Sequence, residues 1–160
     1  MKSIRYEKDA DNIVHLVFDN PTESANLMNA DFREDFGAAV AKLKAEAELA
    51  GVILRSAKST FFAGADLKAT MRLGAADAPA VFREIEQTKK NFRTLETLGK
   101  PVVTCLNGTA LGGGWEVALV GHHRIAVDDP KIQLGLPEIT LGLIPGASGI
   151  TKMTRLLGLM

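Results

Sequence analysis

Cysteine is almost missing from this chain. Cys105 is its one thiol, so no disulfide can form within it, which excludes a small scaffold held by intrachain cross-links. Net charge is missing as well. Nineteen basic residues cancel nineteen acidic ones, which removes the broad electrostatic footprint of a DNA- or anionic-membrane-binding surface. No apolar run is long enough to cross a bilayer. The opening stretch MKSIRYEKD lacks the apolar segment of a secretory signal. The expectation is a cytoplasmic protein with no nucleic-acid partner and no membrane span.

Metal ligands are scarce too. His122 and His123 are adjacent, and neighbours on a strand point to opposite faces, so they cannot grip one ion together. No metal site is expected. Cys105 falls mid-strand with no base beside it in sequence, which argues against a catalytic thiol.

What is present is a globular composition. Apolar residues make up 46% of 160 residues, enough for one domain with its own core. Residues 2–7 and 12–18 read as a β-hairpin. A helix is expected from Asn29 or Ala30 to Leu49, with Phe32, Phe36, Val40, Leu43 and Ala47 along one face. Residues 51–55 form a short buried strand. A second helix runs from Pro79 to Leu98, with Asp77 as its N-cap and a stripe of Val81, Ile85, Thr88, Phe92 and Leu95. Strands follow at 102–106 and 122–127, a helix through 115–120, and a last helix opening at Pro145–Gly149. Strands separated by long helices mean an α/β fold with crossover connections. The chain stops on an apolar run, residues 156–160, with no polar tail, which reads as a cut inside a larger fold. Core left exposed there would favour association.

Three segments put glycine beside strand ends, where α/β proteins tend to bind ligands. They are residues 61–67, 107–116, and 134–146. Gly112, Gly113 and Gly114 let backbone approach a ligand, and a helix starting just after them presents unpaired N–H groups beside its positive dipole end. Such a place suits an anion or a developing oxyanion, although a tight strand-to-helix turn would use the same residues. The dinucleotide fingerprint fails, because Val117 stands where its third glycine belongs. Ala63, Gly64 and Ala65 could offer a second bare amide, with Asp66 capping a short helix from Leu67. Lys68 and Arg72 lie one turn apart on that helix, spaced for a phosphate or for a solvated face. Glu116 lies in the first turn of an apolar helix, and Glu138 follows Pro137 among Leu134, Leu136 and Ile139. Each is a structural residue or, partly buried, a proton-transfer group.

Taken in order, Phe62-Ala63-Gly64-Ala65-Asp66-Leu67, then Asn107-Gly108 through Gly112-Gly113-Gly114-Trp115-Glu116, then Leu134-Gly135-Leu136-Pro137-Glu138, then Gly142-Leu143-Ile144-Pro145-Gly146 resemble the crotonase (enoyl-CoA hydratase/isomerase) superfamily. The resemblance implies a spiral of ββα units, of which residues 1–160 would be the N-terminal part, truncated at the C-terminus. It implies an oxyanion hole at the amides of Ala65 and Gly113. It places Ala25, Ala63, Gly64, Asp66, Leu67 and Lys68 along the coenzyme A cleft, Ala25 within the segment 25–27. Family members with both glutamates, here Glu116 and Glu138, hydrate 2-enoyl-CoA. Residues 113–116, 128–131 and 151–159 are similar to the N-terminal region of the multifunctional fatty-acid oxidation α subunits. Ser148 departs from the pattern, standing where glycine is usual.

The resemblance therefore implies hydration of 2-trans-enoyl-CoA to 3-hydroxyacyl-CoA in β-oxidation. The ligand is an acyl-CoA thioester, and no cofactor is needed, since coenzyme A is part of the substrate. A homo-oligomer is one implied assembly, and a thiolase subunit is the partner implied for a longer parent protein. Two rival readings are Δ3-Δ2 enoyl-CoA isomerisation by one glutamate and a non-catalytic acyl-CoA-binding or assembly module.

Overall fold

Short runs rich in β-branched and aliphatic residues write the central strands, and the helices fall between them. The computed structural model describes residues 1–158. In chain order the strands are β1 (Ile4–Lys8), β2 (Ile13–Phe18), β3 (Gly51–Ser56), β4 (Val102–Leu106), β5 (Ala110–Leu111), β6 (His123–Ala126) and β7 (Leu134–Gly135). The helices are α1 (Ala30–Ala45), α2 (Leu67–Thr70), α3 (Ala78–Glu96), α4 (Gly113–Ala118) and α5 (Gly149–Leu157). Single 3-10 turns occupy Ala75–Asp77 and Glu138–Leu141.

The main sheet runs β1-β2-β3-β4-β6. β1 and β2 form an antiparallel hairpin, and β3, β4 and β6 add in parallel. Parallel neighbours need crossovers, which the helices supply. β5 and β7 pair with each other in a separate parallel ladder, and a lone bridge joins Phe62 to Ala110. The chain therefore repeats a unit of sheet strand, short second-layer segment and helix: β4-β5-α4, then β6-β7-α5. This is an α/β fold of ββα units. The second layer is too short to read from alternation, and it is the layer that shapes the candidate site.

The core lies between the sheet and the helices. Phe32, Phe36, Ala39, Val40 and Leu43 bury one face of α1. Phe18 sits edge-on to Phe32, Phe61 and Phe62, with ring centroids 5.7, 5.6 and 5.8 Å away. Each such side chain contributes about 1.5–3 kcal/mol by leaving water. Phe61 and Phe62 also nail the following loop, residues 63–66, to the core.

The two long helices differ in detail from the sequence expectation. α1 ends at Ala45 rather than Leu49, because Glu46 turns to extended backbone and ion-pairs with Lys8 at 2.9 Å. Ala47 is consequently exposed and outside the helix. α3 starts from Asp77, but that side chain makes no cap bond to α3. It accepts from the Gly74 amide at 2.8 Å instead, closing the preceding turn. Only Thr88, Phe92 and Leu95 of the α3 stripe are buried, and Val81 and Ile85 are not. Ile139, Leu141, Ile144, Ile150, Leu156 and Leu157 are exposed apolar side chains. An apolar surface of this kind favours self-association. Light scattering should show apparent mass rising with concentration; a constant monomer mass would contradict it.

Asp35 ties the N-terminus to α1. Its Oδ2 accepts from the backbone N–H groups of Lys2 and Ser3, both at 2.6 Å, and from the Ser3 hydroxyl at 2.9 Å. Burial pushes this carboxyl up, but those donors and the N-terminal ammonium outweigh it, and its pKa falls below the usual value. The stabilisation is therefore present above the unfolded pKa and lost as pH falls through the folded one. Asp35→Ala should cost about 1.5–3 kcal/mol in denaturant titration at neutral pH, with the deficit shrinking in acid.

Candidate active site

Main-chain hydrogen bonds zip four loops together. Phe61 and Phe62 donate to Thr109 O at 3.1 and 3.2 Å, and Leu111 donates back to Phe62 O at 3.2 Å. Ala110 donates to Gln133 O and Gly112 to Gly135 O, both at 2.9 Å. Met28 donates to Gly64 O at 2.8 Å. These bonds bring residues 25–28, 61–66, 109–114 and 133–138 to one place.

Asn26 is the hub of the first two. It is 3% exposed, and its Nδ2 donates to Phe18 O, Ser56 Oγ and Phe61 O at 3.2, 2.9 and 3.1 Å. Its Oδ1 accepts from Asn20 N, and its carbonyl from Ala63 N at 2.9 Å. The sequence reading placed the segment around it near a cleft but assigned this asparagine no role. A polar residue flanked by Ala25 and Leu27 carries no periodic signal.

Two amides at the centre of this zipper have no acceptor. Neither Ala65 N nor Gly113 N donates a hydrogen bond among the described residues. They are neighbours: a Cβ placed on Gly113 would lie 3.7 Å from Ala65 N, and one on Gly64 would lie 3.9 Å from Gly113 N. Gly113 opens α4, so its N–H is one that no helix can satisfy. The turn before it depends on Gly112, whose φ of 55° and ψ of −127° lie in a region side chains avoid. Gly114 is needed for a different reason, since a Cβ there would sit 2.3 Å from Phe62 O. Met28 closes the other side, with its methyl 3.1 Å from a Cβ on Gly113.

Glu116 lies one turn into α4 and is 3% exposed. Its Oε1 accepts from Ala147 N at 2.8 Å and Gly149 N at 2.7 Å. Ser148, between those donors, has φ 91° and ψ 5°. A left-handed residue between two such amides turns both toward one oxygen, a nest for an anion. Serine in that region carries strain of about 1–3 kcal/mol. Burial pushes the Glu116 carboxyl above its usual pKa; the two amides and Lys152 oppose that, and the charge of Glu138 adds to it.

Glu138 begins the 3-10 turn after Pro137. Its Oε1 lies 3.0 Å from the Cβ that Gly112 lacks, and its Oε2 is buried without a hydrogen-bond partner among the described residues. The two glutamates thus meet from different units of the fold, Glu116 fully held at one oxygen and Glu138 with one oxygen free.

At Ala65 begins a cavity of about 490 Å³, lined by Glu23, Leu27, Ala63, Ala65, Asp66, Leu67, Lys68, Ala69 and Arg72. Asp66 caps α2 through Ala69 N at 3.0 Å, which aims Lys68 and Arg72 along the same wall. Of the six residues expected along a coenzyme A cleft, Ala63, Asp66, Leu67 and Lys68 line this cavity. Gly64 is buried under it, and Ala25 is replaced on the wall by Leu27 and Glu23. Among the described residues no group of three His, Cys, Asp or Glu side chains is placed to hold a metal ion.

Gly112→Ala should force the turn and press on Glu138. The expected loss is about 1–3 kcal/mol of stability by chemical denaturation, with the Glu138 carboxylate displaced in a crystal structure. An unchanged midpoint would show that the turn tolerates a side chain.

Comparison with known proteins now gives this geometry a context. The family model for enoyl-CoA hydratase/isomerase matches residues 8–160. The fatty acid oxidation complex subunit alpha of Shewanella loihica is 39% identical over 160 residues, which are 99% of this chain and 22% of that protein. The enoyl-CoA hydratase of Bacillus anthracis superimposes with a TM-score of 0.85 at 31% identity, over 98% of this chain and 59% of that one. Pseudomonas aeruginosa DspI does so with a TM-score of 0.85 at 26% identity, over 99% of this chain and 62% of that one. The chain spans about a fifth of the curated relative and about three fifths of the solved structures. With its fold shared and nearly all of its length matched, the chain belongs to the enoyl-CoA hydratase/isomerase family.

Proposed function

We propose that this chain carries the site for adding water to a 2-trans-enoyl-CoA, giving the 3-hydroxyacyl-CoA of fatty-acid β-oxidation. The observation that carries the reading is the buried Glu116 and half-buried Glu138 beside two amides that have no acceptor among the described residues. An oxyanion that forms on a thioester oxygen needs donors already in place, and Ala65 N and Gly113 N are donors with no protein acceptor among the described residues. The coenzyme A arm would lie along the α2 cavity, past Lys68 and Arg72. Coenzyme A is then part of the substrate, and no separate cofactor enters the reading. Family membership supports a cytoplasmic enzyme. Among the described residues no helix is long and apolar enough to cross a membrane.

In this mechanism Glu116 orients a water and takes its proton as the oxygen bonds to the β carbon. The π electrons move toward the thioester oxygen, where the two amides hold the enolate. Those electrons then form the C–H bond at the α carbon with a proton from Glu138. For this step Glu138 must enter carrying the proton and Glu116 must enter ionised. Fixing Glu116 by one oxygen leaves the other to face the water. Burial and Glu138 raise its pKa, which makes it a stronger base near neutrality.

Hydration of crotonyl-CoA should fall by about 10²–10⁴-fold in kcat for Glu116→Gln and for Glu138→Gln. If each leaves the rate unchanged, the mechanism is wrong. A double-bond shift of 3-enoyl-CoA without hydration would favour isomerisation, and binding without turnover a carrier role. The sign for stability is opposite to that of Asp35. Folding raises the pKa of Glu116, so its stabilisation is present at low pH and is lost as pH rises through the folded value. Glu116→Gln, which can still accept from Ala147 and Gly149, should therefore unfold no earlier than the wild type at neutral pH. A clear fall in Tm would contradict the burial argument.

A further inference from the structure

The proposed mechanism makes no use of Lys152, yet this lysine is one of the least solvated charges in the molecule. It lies in the first turn of α5, where its amide closes the turn on Ser148 O at 3.0 Å. Its ammonium ion-pairs with Glu96 at the end of α3, and the two side chains are only 17% and 18% exposed. The same ammonium stands 5.4 Å from the centre of the Phe92 ring. The next residue, Met153, accepts from the Trp115 indole at 3.2 Å, one position before Glu116. Two adjacent residues of α5 are thus bolted to two different helices.

The end of α5 fixed by those bolts is the end that holds Glu116. Ala147 N and Gly149 N reach its carboxylate only while α5 starts where it does. Gly149 is part of that fit, since a Cβ there would press to 2.9 Å of the Glu116 Cγ. We propose that Lys152, held by Glu96, is a positioning residue: it seats the first turn of α5 so that the amides of Ala147 and Gly149 grip Glu116, and it places a positive charge behind that carboxylate.

This rests on the hydratase reading for its use in turnover, and on geometry alone for its effect on Glu116. The charged groups around the carboxylate are Glu138 from the 3-10 turn, Lys152 from α5 and, beyond it, Glu96 from α3. Lys89 of α3 lines the small cavity at the start of α5, and it is paired with Glu86. Lys152 is therefore the cation that acts on Glu116, in the direction that favours its ionised form. Without it, Glu116 should hold its proton to higher pH.

The test is a carboxyl-carbon NMR titration of Glu116 in the full chain, read together with the Ala147 and Gly149 amide signals. Lys152→Met should move the Glu116 midpoint to higher pH and weaken the pH response of both amides. Lys152→Arg should restore both. Because Lys152→Met leaves the half-buried Glu96 with Arg93 as its remaining ion-pair partner among the described residues, Lys152→Met with Glu96→Gln provides a version without the uncompensated charge, and an upward movement is expected there too. In turnover, the acidic limb of the pH profile should follow, with kcat falling by on the order of 100-fold and KM staying within about twofold. A folded double variant with the wild-type Glu116 midpoint and unchanged amides would overturn the proposal. An inactive wild-type chain would count against hydration alone, and the NMR titration would still decide the role of Lys152.

Discussion

The grip of the α5 entry turn on the Glu116 carboxylate organises this end of the molecule. It joins the β4-β5-α4 unit of the fold to the β6-β7-α5 unit through one oxygen and two amides. It requires a left-handed Ser148, a side-chain-free Gly149 and an α5 anchored to both α3 and α4. Remove the carboxylate and the entry turn has two buried amides with no acceptor. Move the helix and the carboxylate is buried without donors. Either outcome leaves polar groups unpaired at a cost of about 1–3 kcal/mol each.

The same region departs from what stability alone would select. A glutamate is buried where its proton is favoured, a second carboxylate is set near it, and two amides are left without acceptors. Two polar side chains that tie the fold together are fully served. Asp35 meets three donors, and Asn26 uses both ends of its amide. The unpaired Glu138 oxygen and the two amides lie where the family resemblance puts chemistry. Electrostatic preorganisation has this character: groups wait in the ground state for charge that appears only during reaction.

The main sheet and the long helices were legible in the sequence because they follow periodic rules. Phe32, Phe36, Val40 and Leu43 mark α1, and residues 102–106 mark β4, by spacing alone. The second layer was not legible. β5 and β7 have two residues each, and a two-residue strand shows no alternation. The capping role of Asp66 could be read locally, and it holds. The role of Asp77 could not, since a turn at Gly74 competes for the same carboxylate. The early end of α1 depends on Lys8 and Tyr6, which contact Glu46 from far away in sequence. The two glutamates were individually ambiguous for the same reason. Only the register of the loops brings Glu138 to Gly112, and only the α5 entry turn tells why Glu116 is buried.

The hydratase reading stands or falls on whether solvent oxygen enters the substrate. Crotonyl-CoA incubated with the chain in ¹⁸O-labelled water should yield 3-hydroxybutyryl-CoA bearing the label on the β-carbon hydroxyl, by mass spectrometry. A chain that binds the thioester, or shifts the double bond of a 3-enoyl-CoA, while taking up no oxygen from water would contradict it.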